Sequence, residues 1–237
     1  MPERLYFRQL LSGRDFAVGD PLATQMVNFV YLIGDGDTRE AVVVDPAYGV
    51  ADILDVLEGD GMRLAGVLAT HHHPDHVGGS MMGYSIEGIR SVLERRPVPV
   101  HVHREEAEWV RRVTGVGGTD LVAHESGDRV EVGDIDVEVL HTPGHTPGSQ
   151  CFLVEERLVA GDTLFLQGCG RTDLPGSDPE AMFDSLAKLA SLPDDVVVFP
   201  GHRYSLPSAA TLGAVKETNM VFKPADRQQW LAAFAGT

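Results

Sequence analysis

Within six residues of LATHHHPDHVGG (68–79) stand His71, His72, His73, Asp75 and His76. Neutral imidazole and carboxylate are ligands that zinc and other borderline divalent cations accept. Three residues of the same chemistry follow downstream: His145 in HTPGHTPGS, Asp162 in AGDTLF and His202 in VVFPGH. Each follows an apolar run or sits in a Gly/Pro-rich turn, where a rigid scaffold presents functional side chains. Side chains alternate along extended backbone, so His71 and His73 should share a direction and His72 should face away. Asp75 and His76, beyond Pro74, can reach a second position, and the two oxygens of Asp162 could bridge both. Taken singly, Asp162 reads as a turn or N-cap residue and His202 as a buried, hydrogen-bonded histidine. Taken together, the seven candidates (His71, His73, Asp75, His76, His145, Asp162 and His202) suffice for two divalent ions.

The elements that must position these residues are short strands alternating with helical patterns. MVNFVYLIGD and EAVVVDPA read as two strands joined across Gly34–Asp37, and VADILDVLEGDGM as a helix ended by its glycines. LAGVLAT is a buried strand ending at the histidine cluster. Residues 85–96 have helical spacing; VPVHVH is a strand and REEAEWVRRV a helix. RVEVGDIDVEVLHT reads as a hairpin around Gly133-Asp134, and QCFLVEERLVAGDTLF as two more strands. PEAMFDSLAKLASL is an amphipathic helix, DDVVVFPGH a late strand, and the tail from Ser205 one or two helices. Two successive blocks of strands, each followed by helices, suit two sheets packed face to face with helices outside.

The remaining candidates take structural readings. His101 and His103 share one strand face, and His124 and His141 offer nothing specific. Cys151 reads as a small core residue and Cys169 as part of a glycine-rich loop near the site. Thr70 and Thr142 are candidate partners of the ligating histidines by adjacency alone.

The chain has 237 residues and a formal charge of −16. That charge argues against binding nucleic acid, which needs a basic patch, and against docking to an anionic membrane. No apolar run reaches a membrane span, the N-terminus lacks a signal-peptide core, and two cysteines make no disulfide framework. A cytoplasmic protein acting on a small molecule is expected, with the oligomeric state open.

THHHPDHVGG resembles the T-H-x-H-x-D-H-x-G-G signature of the metallo-β-lactamase-fold hydrolases, and TPGHTPGS, GDTLF and PGH resemble the superfamily's later motifs in the same order. The resemblance runs from about residue 28 to 202. It implies an α/β fold, a four-layer αβ/βα sandwich of two mixed sheets flanked by helices. Residues 1–204 would form that domain, with 80–118 as a helical insertion (a lid or a packed helix pair), and 205–237 a short helical tail. Within the superfamily, the sequence is similar to glyoxalase II (hydroxyacylglutathione hydrolase) and to persulfide dioxygenases.

Carried over by motif, His71, His73 and His145 would hold a first metal, and Asp75, His76 and His202 a second, with Asp162 bridging. An aspartate at that bridging position argues against the true β-lactamase branches. Glyoxalase II chemistry implies two ions, Zn2+ by ligand type, and hydroxide attack on a thioester carbonyl, with Asp75 and Asp162 orienting the nucleophile. The dioxygenase alternative implies one Fe2+ held by His71, His145 and Asp162. A lactonase on the same site comes third. The substrate would be a conjugate of a low-molecular-weight thiol, although the tail after His202 is short and carries few of the cations glyoxalase II uses to hold glutathione.

Overall fold

The computed structural model describes residues 4–235. The first sheet runs β1-β2-β3-β4-β7-β8, built from β1 (Leu5–Leu11), β2 (Phe29–Asp35), β3 (Glu40–Val44), β4 (Arg63–Leu68), β7 (Val100–His103) and β8 (Leu121–His124). The second runs β14-β13-β12-β11-β10-β9, from β9 (Arg129–Val132), β10 (Ile135–His141), β11 (Gln150–Val154), β12 (Arg157–Gly161), β13 (Val197–Pro200) and β14 (Ala210–Thr211). Both sheets are mixed. In the first, β3 and β4 are parallel and joined through α2 (Val50–Gly59); in the second, β12 and β13 are parallel and joined through α6 (Pro179–Ala190).

Every residue of β2 is buried because both faces of its sheet are covered. Alternation sorts its side chains. Phe29, Tyr31 and Ile33 point between the sheets and meet Val137, Val139, Phe152 and Val159, whereas Val30 and Leu32 point outward to Ile53 and Leu57 of α2. On the outer face of the second sheet, Met182, Leu186 and Leu189 of α6 pack with Val198, Leu212 and the buried Trp230 of α8 (Arg227–Phe234). The layers are therefore helix, sheet, sheet, helix, the α/β sandwich the motifs imply. Among the described residues no helix is long and apolar enough to cross a membrane.

Two edges hold the sheets together by hydrogen bonds. At one, Asp134 N–H donates to Asp35 Oδ2 at 2.9 Å and Gly133 N–H to Glu40 Oε2 at 3.2 Å. At the other, Gln150 N–H donates to the Thr70 carbonyl at 2.9 Å and Phe29 N–H to the Gly201 carbonyl at 2.8 Å. The second edge carries the conspicuous histidines.

Some elements differ from their sequence expectation. The helical spacing of 85–96 is broken: Tyr84–Ile86 form β6, a hairpin partner of β5 (Gly79–Met81), and α4 begins only at Ile89, ending at Arg95. The reason is backbone, since Gly78, Gly79 and Gly83 all have positive φ and turn the chain back on itself. The next helix, α5, spans Ala107–Thr114 and starts late because Glu106 turns inward. β1 and β8 had no clear sequence signal. Gly34 and Asp35 belong to β2, so the turn is Gly36–Arg39, two residues later. Residues 80–118 thus hold part of β5, then β6, α4, β7 and α5. Of the N-terminal stretch, Met1–Glu3 lie outside the described residues.

Candidate metal centre

Parallel strands deliver their C-terminal ends to one edge, which is where open α/β sheets present ligand sites. The loop after β4 carries His71 and His73 into α3 (Pro74–Val77), which holds Asp75 and His76. His145 lies in the β10–β11 loop, Asp162 follows β12 and His202 follows β13. All seven residues expected from the sequence converge there. His71 Nε2 and His145 Nε2 approach His73 Nδ1 at 3.1 and 3.0 Å. Nitrogens on a tetrahedral ion with bonds of about 2.0–2.1 Å lie roughly 3.3 Å apart. Beside this triad, His76 Nε2 and His202 Nε2 face each other at 3.2 Å, with Asp75 Oδ2 at 3.6 and 3.4 Å from them. Asp162 stands between the groups, its Oδ2 3.7 Å from His145 Nε2 and 3.4 Å from His202 Nε2, its Oδ1 3.4 Å from His76 Nε2.

Hydrogen bonds behind the rings fix which nitrogens face inward. A carbonyl can only accept, so His145 Nδ1 donates to the Arg171 carbonyl at 2.9 Å and His202 Nδ1 to the Met26 carbonyl at 2.8 Å. His76 Nδ1 donates to Asp45 Oδ2 at 2.9 Å. The Thr70 hydroxyl donates to the same carboxylate at 2.6 Å, so its oxygen accepts from His71 Nδ1 at 2.9 Å. The inward Nε2 of His71, His76, His145 and His202 are then lone pairs aimed at one another. Such lone pairs need a shared cation or a proton. Asp162 Oδ1, buried and without a hydrogen bond, needs the same. The donor set therefore fits divalent metal, and the cluster is a metal-binding one.

The two groups respond oppositely to charge. Burial, reinforced by neighbouring imidazoles, depresses His71 well below the usual histidine value and His73 to about 3. Burial also opposes charge on His76 and His202, but Asp162 and Asp75 outweigh it. They raise His76 to about 9 and His202 well above its usual value. For Asp75 and Asp162 burial works against ionisation, and the facing histidines overcome it, so both carboxyls stay ionised. The second group thus demands positive charge, which a metal supplies in place of protons.

Close approach at the site depends on glycine. A Cβ at Gly201 would collide with Asp162 Oδ1 and His76, so the chain entering His202 must lack one.

Several participants had no sequence signal. Asp45, just after β3, orients two rings of the cluster at once, His76 directly and His71 through Thr70. Asn28 Nδ2 donates to Asp75 Oδ2 at 3.3 Å. Glu106 is fully buried and accepts from His72 N–H at 2.7 Å, Gly148 N–H at 2.8 Å and Thr146 Oγ1 at 3.0 Å, and it pairs with the His72 ring. It therefore ties the His71–His73 loop to the His145 loop. His72 faces away from the centre, as expected, stacked on Trp109 at 4.9 Å. Thr70 does support a histidine of the cluster, His71, whereas Thr142 bonds Thr163 at 2.9 Å and lies near Cys151. His101 pairs with His124 at 2.8 Å and His103 stacks on His141, all away from the centre. Cys151 is buried in the core; Cys169 lines the cleft over the site, its thiol pushed up to about 12 by burial.

Residues 23–202 match the metallo-beta-lactamase superfamily. The chain belongs to that superfamily. Members similar to it include a hydroxyacylglutathione hydrolase of Synechococcus sp., 37% identical over 79% of this chain and 69% of that one. A probable polyketide biosynthesis zinc-dependent hydrolase of Bacillus velezensis is 29% identical over 83% and 82%. Among solved superfamily structures, ETHE1 from Myxococcus xanthus superposes with a TM-score of 0.77 at 29% identity, covering 96% of this chain and 88% of that one. TTHA1623 in a di-iron-bound form gives 0.66 at 31% identity, covering 82% and 95%. The protein is an enzyme of the metallo-hydrolase superfamily.

Proposed function

We propose that the protein hydrolyses thioesters of a low-molecular-weight thiol. The observation that carries this reading is the convergence of inward ring lone pairs and two ionised carboxylates in one buried cluster. In this reading His71, His73 and His145 hold one divalent ion, and Asp75, His76 and His202 the other. Asp162, standing between the two groups, would serve both, and Zn2+ is the expected metal. When bound, the ions supply Lewis acidity and a hydroxide nucleophile at neutral pH. The residues of the chain do the rest. Asp45 and the carbonyls of Met26 and Arg171 hold the rings in one tautomer. Asp75 and Asp162 stay ionised and would orient the nucleophile, and the cleft walls restrict water. The likeness to the hydroxyacylglutathione hydrolase supports the thioester class. Two unpaired cysteines suit a reducing cytoplasm.

A second reading, a persulfide dioxygenase with one Fe2+ on His71, His145 and Asp162, fits the likeness to ETHE1. Purification without added metal, then elemental mass spectrometry, separates the two. About two zinc ions per chain with cleavage of S-lactoylglutathione or another thioester supports hydrolysis. One iron per chain with oxygen uptake on a persulfide supports the dioxygenase. A chain that binds no metal, even on reconstitution, overturns both.

A further inference from the structure

The metal-binding cluster lies at the floor of a cleft of about 610 Å3 walled by Met26, Met81, Met82, Phe165, Leu174 and Tyr204. Two hollows adjoin it, one at Met82 and one at Gln167 and Tyr204. One, about 590 Å3, shares Met82 and runs over Leu22 and Tyr84 along α1 (Pro21–Met26). The other, about 410 Å3, shares Tyr204 and runs past Leu166 and Leu206 to α7 (Leu212–Thr218). Large apolar side chains are left in water along this trough: Met82 is 77% exposed, Tyr84 61%, Tyr204 56% and Leu206 91%. A contiguous exposed apolar surface of this kind marks a binding groove.

Charge points the same way. Among the described residues, Arg171 is the one Lys or Arg lining the cleft, and Asp173 already takes its guanidinium at 2.9 and 2.8 Å. In the tail, Lys216 pairs with Asp194, and Arg227 with Asp184 and Glu180. A glutathione conjugate brings two carboxylates to a chain of formal charge −16. A thioester has two arms leaving its carbonyl, and this trough has two apolar arms leaving the centre.

Resting on the thioester-hydrolase reading, we infer that the substrate has acyl and thiol arms that are both extended and uncharged, one lying in each hollow. Hydrolysis breaks the C–S bond and forms a C–O bond to water, whose proton ends on the released thiol. Each methylene added to the acyl arm then raises kcat/KM about fourfold until the hollow is filled.

The test separates recognition from turnover. Calorimetry on the zinc-loaded protein compares the uncleavable thioethers S-octylpantetheine and S-octylglutathione. In parallel, acetyl-, butyryl- and octanoyl-pantetheine and S-lactoylglutathione are assayed for cleavage. The expected result is at least tenfold tighter binding of the pantetheine ether. That preference should fall about tenfold in Met82→Lys, which offers the glutathione carboxylates a cation, and also in Tyr84→Ser, each of which alters an exposed side chain. Equal or tighter binding of the glutathione ether overturns the inference, even if every thioester is cleaved. A pantetheine preference without cleavage of any thioester leaves the trough's assignment standing and overturns the hydrolase reading instead.

Discussion

The N-terminal half of the chain runs hairpin β2–β3, helix α2, parallel strand β4; the C-terminal half runs hairpin β11–β12, helix α6, parallel strand β13. Each half ends its hairpin in an aspartate, Asp45 or Asp162, and its parallel strand in histidine, at His71 or His202. Yet the aspartates do different work. Asp45 sits behind the rings and accepts from Thr70 and His76, while Asp162 stands among them with Oδ1 unbonded. The backbone explains the divergence. The left-handed residue is Asp45 itself in one half (φ +53°) and the preceding Gly161 in the other (φ +49°). Shifting the turn by one residue redirects the carboxylate that follows the strand. One geometry puts the carboxylate behind the rings; the other puts it among them.

That contrast can be broken by substitution. Asp162→Ala should cost more than about 100-fold in kcat/KM and release at least one metal per chain, read by elemental analysis, because it removes the carboxylate shared by both groups. Asp45→Ala should cost about 10–100-fold, mainly as weaker metal affinity in chelator competition, since it frees rings without removing a ligand. Equal losses in the two variants would erase the distinction between the two carboxylates.

The opposed titrations of the two histidine groups sharpen it further. His73, depressed to about 3, is neutral when folded, so below about 6.5 the unfolded chain takes up a proton that the folded one refuses, and stability falls as pH drops. His76, raised to about 9, contributes stability that is full below about 6.5 and disappears as pH rises through 9. The metal-free protein should therefore show a Tm maximum near pH 6.5 in scanning calorimetry, and zinc should flatten that profile. A monotonic metal-free profile would contradict the opposed environments. The smallest effect expected is from Cys169→Ala: a thiol held up at about 12 is not a nucleophile at neutral pH, so kcat should stay within about twofold.

The seven convergent residues were legible in the sequence because histidine and aspartate at strand ends have few other uses in such density. The two-sheet architecture was legible because β2, β3 and β4 read as apolar runs of strand length. Asp45 was not, since VVVDPA looks like any strand leaving for a turn and its partners Thr70 and His76 lie 25 and 31 residues on. Glu106 was hidden in REEAEWVRRV as one of three glutamates, although helical spacing sets it one turn before the buried Val110. Its burial comes from four donors on two distant loops, which no local pattern encodes. The β5–β6 hairpin was masked by the helical spacing of 85–96, although Gly78, Gly79, Gly83 and Gly88 punctuate it.

The two hydrogen-bonded edges of the sandwich differ in what lies beside them. The Asp35–Asp134 edge is held through side-chain carboxylates, while the Thr70–Gln150 and Phe29–Gly201 edge sits beside the metal-binding cluster. Ions bound there add their affinity to the folded form alone. Limited proteolysis with and without zinc is expected to show faster cleavage of the metal-free protein at this edge.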